Sequence, residues 1–173
     1  MGKYIFITNG KGRCGKDTLY QIVANNFNNV APKYSSIDWI KEIASKYFGY
    51  EGHKTDKDRK MLCELKRIAT EYDDLPFKNC IEHIYEFAES EYDMLFIDIR
   101  EPNEITKICR FLDDNFPDIT LITLLIKREI CDGFIYSNKA DSQVYEFDYD
   151  YIIHNDSSIE DFEKEVIKLF KTF

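Results

Sequence analysis

The chain has 173 residues, 44% of them hydrophobic and 32% charged, the balance of a folded globular protein rather than a disordered one. That length suits one domain with a core and a cleft beside it, and no apolar run approaches the roughly 20 residues that cross a bilayer. A net charge of −9 argues against broad binding to a nucleic-acid backbone, so any phosphate site must be a local concentration of cations.

In chain order, "KYIFIT" (3–8) is a short β-rich apolar run that leads straight into a glycine loop, and it reads as a first strand rather than a cleaved leader. After the loop, "DTLYQIVANNF" places Leu19, Ile22, Val23 and Phe27 at helical spacing. "KYSS" (33–36) predicts a second short strand, and an amphipathic helix then runs from Ile37 to Phe48, ended by Gly49. Beyond the polar "GYEGHKTDKD", the segment "RKMLCELKRIATEY" predicts a long helix with a stripe of Leu62, Leu65 and Ile68. A further helix spans Pro76 to Glu89, with the proline in its first turn.

"DMLFIDI" (93–99) and "TLITLLI" (120–126) are nearly continuous apolar runs, the pattern of strands buried on both faces of a parallel sheet. Between them, Ile105, Ile108, Cys109 and Leu112 lie at helical spacing, which predicts a strand, helix, strand crossover. "YDYII" (149–153) reads as the last strand, and "SSIE" (157–160) as a capping box opening the terminal helix. Residues 127–148 show no clear period and form either a lid or a surface excursion. The sum is a three-layer α/β fold with a mainly parallel, five-stranded sheet.

Gly10, Gly15 and Lys16 satisfy the pattern Gly-x-x-x-x-Gly-Lys between a predicted strand and a predicted helix, the context that a phosphate-cradling loop requires. In such a loop the backbone N–H groups of Gly10, Lys11, Gly12, Arg13, Cys14 and Gly15 face a phosphate chain at the positive end of the following helix. Lys16 then reaches the β- and γ-phosphates of ATP. Lys11 and Arg13 either add cations to the site or are plain surface residues. Asp17 stands where a hydroxyl usually binds magnesium; its carboxylate holds the ion directly or through water, or is only the first-turn acid of a helix. Thr18 keeps a hydroxyl one residue later.

Asp98 ends an apolar strand, so its carboxylate emerges at the sheet edge beside the loop, as a magnesium ligand or as a helix cap. Arg100, two residues on, points to the same side or pairs with Glu101 or Glu104. Arg59 and Lys66 share one helix face and suit capture of a monophosphate; the alternative for them and for Arg67 is a solvated face. Asp38 and Lys41 follow the second strand, near the edge where an acceptor would lie. Trp39 and Tyr72 either stack on a base or belong to the core. Lys127 and Arg128 leave a strand end from which a lid supplies cations over a triphosphate, or they simply meet solvent. His53, His83 and His154 are too dispersed for a metal set. Five cysteines without CxxC spacing argue against a disulfide framework or a zinc site and suit a reducing cytoplasm.

"GKDT" (15–18) together with "DIREPNE" (98–104) resembles the deoxynucleoside monophosphate kinases of bacteriophages and their bacterial relatives, which join such a loop to a strand ending in Asp-x-Arg before Pro-Asn-Glu. Two looser elements agree. "RKMLCELK" supplies Arg59 and Leu62 of the family's Arg-x-x-Leu-Gln helix, with Cys63 in place of Gln, and "DYIIHNDSSIEDF" is similar to the family's ending. The family's His-x-Ser-Glu lid segment has no counterpart in "SNKADSQ".

The resemblance implies one P-loop kinase domain over 1–173, with a helical monophosphate-binding region at about 37–90 and a lid at about 127–148. It implies ATP and magnesium as cofactors, Asp17 and Asp98 at the metal, and Lys16 and Arg128 following the moving phosphoryl group. Arg100, Glu104, Arg59, Lys66, Asp38 and Lys41 fall at the acceptor. Lys127 and Asn155 fall on the nucleotide side, where Asn155 either touches adenine or helps cap the helix near Ser157. The expected partners are small nucleotides, with no nucleic acid or membrane, for a monomer or homodimer. The alternatives are a kinase for another small phosphorylated metabolite, as in the similar phosphomevalonate kinases, and a noncatalytic nucleotide-binding module.

Overall fold

A computed structural model describes residues 2–53, 55–132 and 143–173. Five strands, β1 (Lys3–Asn9), β2 (Tyr34–Ser35), β3 (Met94–Asp98), β4 (Ile119–Lys127) and β5 (Tyr151–His154), form one sheet in the order β2-β3-β1-β4-β5. Every pairing is parallel. The helices are α1 (Lys16–Asn26), α2 (Asp38–Phe48), α3 (Asp56–Asp73), α4 (Leu75–Glu89), α5 (Pro102–Asn115), the short α6 (Glu129–Asp132) and, after residue 142, α7 (Ile159–Phe170).

The apolar runs place the layers. Successive residues of a strand point to opposite faces, so Phe6 and Phe96 turn to one side of the sheet and Ile5, Ile7, Leu95 and Ile97 to the other. On the first side α1 and α7 bury Leu19, Val23, Phe162, Val166 and Phe170. Phe6, Phe96 and Phe170 meet with ring centroids 4.8–5.6 Å apart, which seats the C-terminal helix on the two central strands. On the second side α4 and α5 bury Cys80, Ile84, Phe87, Ile105, Ile108 and Leu112. The expected three-layer α/β fold and five-stranded parallel sheet are therefore present. Among the described residues no helix is long and apolar enough to cross a membrane.

Between β2 and β3 the helices α2, α3 and α4 stand in succession, and Ile40, Ala44, Leu62 and Ala69 form a satellite core there. Trp39 packs against this cluster, whereas Tyr72 is exposed.

Most element ends lie within a residue or two of the sequence expectation, and three that differ do so for an identifiable local reason. Helix α3 starts at Asp56 rather than Arg59, because Thr55 and Asp58 form a reciprocal capping box. Helix α7 is capped by Ser158, whose hydroxyl accepts from the Asp161 N–H, and not by a box at Ser157 and Glu160. Strand β5 begins at Tyr151 rather than Tyr149. The Tyr149 hydroxyl is engaged by Asn9 and Val144, and the Asp150 carboxylate accepts from the backbone and hydroxyl of Thr123 at 2.8 Å each. Residues 133–142 of the expected lid lie outside the described residues.

Candidate phosphate-binding site

The central strand β1 ends in two buried polar residues, Thr8 and Asn9, after an apolar run. Asn9 Oδ1 accepts from the Gly10 N–H at 2.7 Å, while its amide donates to the Arg100 carbonyl (3.0 Å) and the Tyr149 hydroxyl (2.6 Å). One side chain thus fixes the start of the glycine loop to the end of β3 and to the segment before β5.

The loop itself requires its glycines. Gly10 has φ 147° and Gly15 φ 111°, in the region that side chains disfavour. A Cβ on Gly10 would overlap the Cys14 sulfur and the Ile126 carbonyl, and one on Gly15 would overlap the Asn155 amide. That amide donates to the Cys14 carbonyl at 2.9 Å, and the Asn155 N–H donates to Lys127 O at 2.8 Å. Asn155 therefore braces the loop from behind instead of capping α7. Gly15 stands at the N-cap of α1 with no side-chain cap, and Lys16 Nζ lies back across the loop on the Gly10 carbonyl at 2.9 Å. Uncapped helix N–H groups beside an ammonium make a cradle for a phosphate chain.

Cys14 is buried in the loop, and burial pushes its thiol up while the Lys16 charge pulls the other way. Arg100 is close enough for its charge to be felt at the same thiol. The Tyr145 ring lies between Lys11 (5.0 Å) and Lys127 (5.1 Å), which holds two cations at the loop. Arg13 is exposed, and Arg128 is exposed at the start of α6.

The two carboxylates expected at a metal are joined by a residue that motif reading overlooked. Asp98 lies beside Thr8 in register and accepts from the Thr8 hydroxyl through Oδ1. Lys33 reaches Asp98 Oδ2 at 3.0 Å and also pairs with Asp17 in the first turn of α1, next to Thr18. Burial opposes the Lys33 charge, but Asp98 and Asp17 outweigh it and hold the ammonium above the ordinary lysine range. One cation therefore reaches both carboxylates, and their hard oxygen donors suit magnesium, which keeps waters and substrate phosphates as its other ligands. No three metal-ligating side chains converge among the described residues.

The acceptor-side candidates fall in three places. Lys66, 14% exposed, pairs with Glu101 at 2.7 Å, and it lines a small cleft with Glu104, Ser36, Cys80 and Ile99 at the end of β3. Lys107 closes the same corner by bridging Asp74 (2.8 Å) and Glu104 (3.0 Å). Asp38 accepts from the Ser35 N–H (2.9 Å) and from Lys41 (2.7 Å), which organises the turn into α2. Arg59 lies in the first turns of α3 and makes no ion pair with a described residue. Arg67 pairs with Glu64 and Glu71 on the exposed face of α3. His53, His83 and His154 each pair with a different carboxylate and do not meet.

Comparison of the fold decides its class. A shikimate kinase from Bacteroides thetaiotaomicron superposes with a TM-score of 0.55 at 15% identity, covering 99% of this chain and 99% of that one. A sugar kinase from Janibacter gives 0.53 at 14% identity, with 99% and 95% covered. The tunicamycin resistance protein of Deinococcus radiodurans gives 0.55 at 11% identity, with 97% and 95% covered. The chain shares the three-layer α/β fold of these structures, with its mainly parallel five-stranded sheet between helices. No family model and no curated protein matches it. At these identities the likeness establishes the fold alone; loop 10–16 and Asp98 lie together at the carboxyl edge of its sheet.

Sequence reasoning missed Asn9, Thr8 and Lys33. Thr8 and Asn9 carry a readable signal, two polar residues closing an apolar strand. Lys33 carries none, since a lone cation before a two-residue strand has no motif.

Proposed function

We propose that the protein transfers the γ-phosphoryl group of ATP to a nucleoside or deoxynucleoside monophosphate, with magnesium. The observation that carries this reading is the convergence, on the adjacent strands β1 and β3, of the phosphate loop, Lys16, Asp98 and Arg100, with Thr8 and Asp98 in register. The kinase names of the structural neighbours support the reaction type, and the GKDT and DIREPNE segments support the acceptor class.

In this reading the triphosphate lies along residues 10–16 with its negative charge at the N-terminus of α1. Lys16 exchanges the Gly10 carbonyl for the β- and γ-phosphate oxygens and neutralises charge that spreads over the transferring group. Arg100, held by the Asn9 bond to its carbonyl, stands between donor and acceptor and orients both. Asp98 and Asp17 would hold magnesium, which would supply charge neutralisation on the phosphates. The acceptor's phosphate oxygen attacks the γ-phosphorus in line. A new oxygen–phosphorus bond forms, the bond to the β-phosphate bridge breaks, and ADP leaves. The acceptor is already ionised near neutral pH, so no protein nucleophile or strong base enters the step.

Residues of α2 and α3 and the first turn of α5 form the acceptor side, with Arg59, Lys66, Lys41, Asp38 and Glu104 around the monophosphate. Residues at about 127–148 form the lid, from which Lys127 and Arg128 meet the triphosphate. A second reading takes another small phosphorylated metabolite as acceptor, since its phosphate monoester carries the same charge and would meet the same Lys66 and Lys107 corner. ADP release measured with ATP, magnesium and each acceptor separates these readings. Release that rises only with nucleoside monophosphates supports the first, and release with none of them sinks it.

A further inference from the structure

We propose that Lys33 is a built-in counter-cation that competes with a divalent ion for Asp17 and Asp98, so that the ion binds only as the Lys33 ammonium leaves. That the ion is magnesium rests on the kinase reading; the competition itself rests on the geometry alone. Both Asp98 oxygens have partners, Oδ1 the Thr8 hydroxyl and Oδ2 Lys33 at 3.0 Å. Each oxygen keeps a further lone pair, but an ion placed on Asp98 lies close to the Lys33 ammonium and is repelled by it, so the ion binds well only as one of the present partners yields. Thr8 is 1% exposed and fixed within the central strand. Lys33 reaches the carboxylates along a flexible four-carbon stem from a residue just outside the two-residue β2, so Lys33 is the partner that gives way.

The other half of the contact points the same way. The Lys33 side chain is 16% exposed and that of Asp98 14%, whereas Asp17 is 88% exposed. A divalent ion entering from the Asp17 side meets a site already neutralised in part by the ammonium. Each charge it brings is then opposed at close range until Lys33 withdraws. Intrinsic affinity for the ion is lowered, and Lys33 is freed for another anion whenever the ion binds.

Manganese, read by its electron paramagnetic resonance signal, titrates this competition without turnover. Lys33→Met and Lys33→Gln are each expected to bind manganese at least about tenfold more tightly than the native chain, and Asp98→Asn in either background to remove the gain. Lys164→Met, which deletes an exposed ammonium paired with Asp161 on α7, is expected to change affinity less than about twofold. Equal gains in the Lys33 and Lys164 variants would reduce the effect to general charge and overturn the proposal, as would unchanged or weaker binding in the Lys33 variants. In the native protein, the 13Cε signal of Lys33, assigned through Lys33→Arg, should shift with the magnesium titration. A signal that stays fixed while the ion binds would also overturn it. Because no acceptor or ATP is present, failure of the kinase reading leaves these outcomes unaffected.

Discussion

The Asn155 side-chain amide donates to the Cys14 carbonyl at 2.9 Å, so the residue after the last strand holds the phosphate loop from behind. Replacing Asn155 with Ala leaves that buried carbonyl without its donor, a loss of about 1–3 kcal/mol. The expected result is a lower urea midpoint together with weaker ATP binding by calorimetry. Gly15→Ala is expected to be worse, since its Cβ meets the same amide at a φ of 111°. An Asn155→Ala chain of native stability and ATP affinity would show that the bond is incidental.

Lys16→Met keeps the aliphatic stem and removes the ammonium that lies on the Gly10 carbonyl. Loss of a cation from the developing charge should lower turnover at least about a hundredfold while the melting temperature stays near native. Steady-state kinetics and a thermal melt on one sample check both halves.

Lys66 and Glu101 form an ion pair at 2.7 Å with side chains 14% and 30% exposed. Lys66→Met leaves the carboxylate without its counter-charge, an expected loss of about 1–3 kcal/mol, discounted because Glu101 still reaches solvent. Adding Glu101→Gln should recover most of that loss in urea denaturation. Arg67→Ala, on the exposed face with Glu64 and Glu71, should leave the urea midpoint almost unchanged.

The architecture was legible because it is written in continuous apolar runs. Residues 93–99 and 120–126 have the pattern of strands buried on both faces, and the glycine loop at 10–16 pointed to a candidate site at their carboxyl edge. Features decided by side-chain pairing across long sequence separations were not legible. Asn155 and Cys14 are 141 residues apart, and Lys33 and Asp98 are 65 apart, so no local spacing announces either contact. Local hydrogen-bond competition moved the ends of elements. Thr55 with Asp58 drew α3 back by three residues, and the engaged Tyr149 and Asp150 delayed β5.

Alkaline pH should weaken the fold. Burial pushes the Cys80 thiol up from 9.0 to about 12 and the Tyr149 hydroxyl up from 10.0 to about 12. Both groups are held in the neutral form when folded and ionise more readily when unfolded, so their contribution is full below about pH 9 and is lost as pH rises toward 12. Thermal melts from pH 7 to 11 should show a plateau and then a fall. Cys80→Ala should make the fall shallower, and iodoacetamide at pH 8 should modify the exposed Cys63 well before Cys80.

The most direct measurement follows labelled γ-phosphate from ATP into each common ribo- and deoxyribonucleoside monophosphate, with and without magnesium, separating the products by chromatography. The prediction is a labelled nucleoside diphosphate for at least one acceptor, dependent on magnesium and absent with Lys16→Met. A folded protein that binds ATP yet labels no monophosphate in the panel would contradict the kinase assignment.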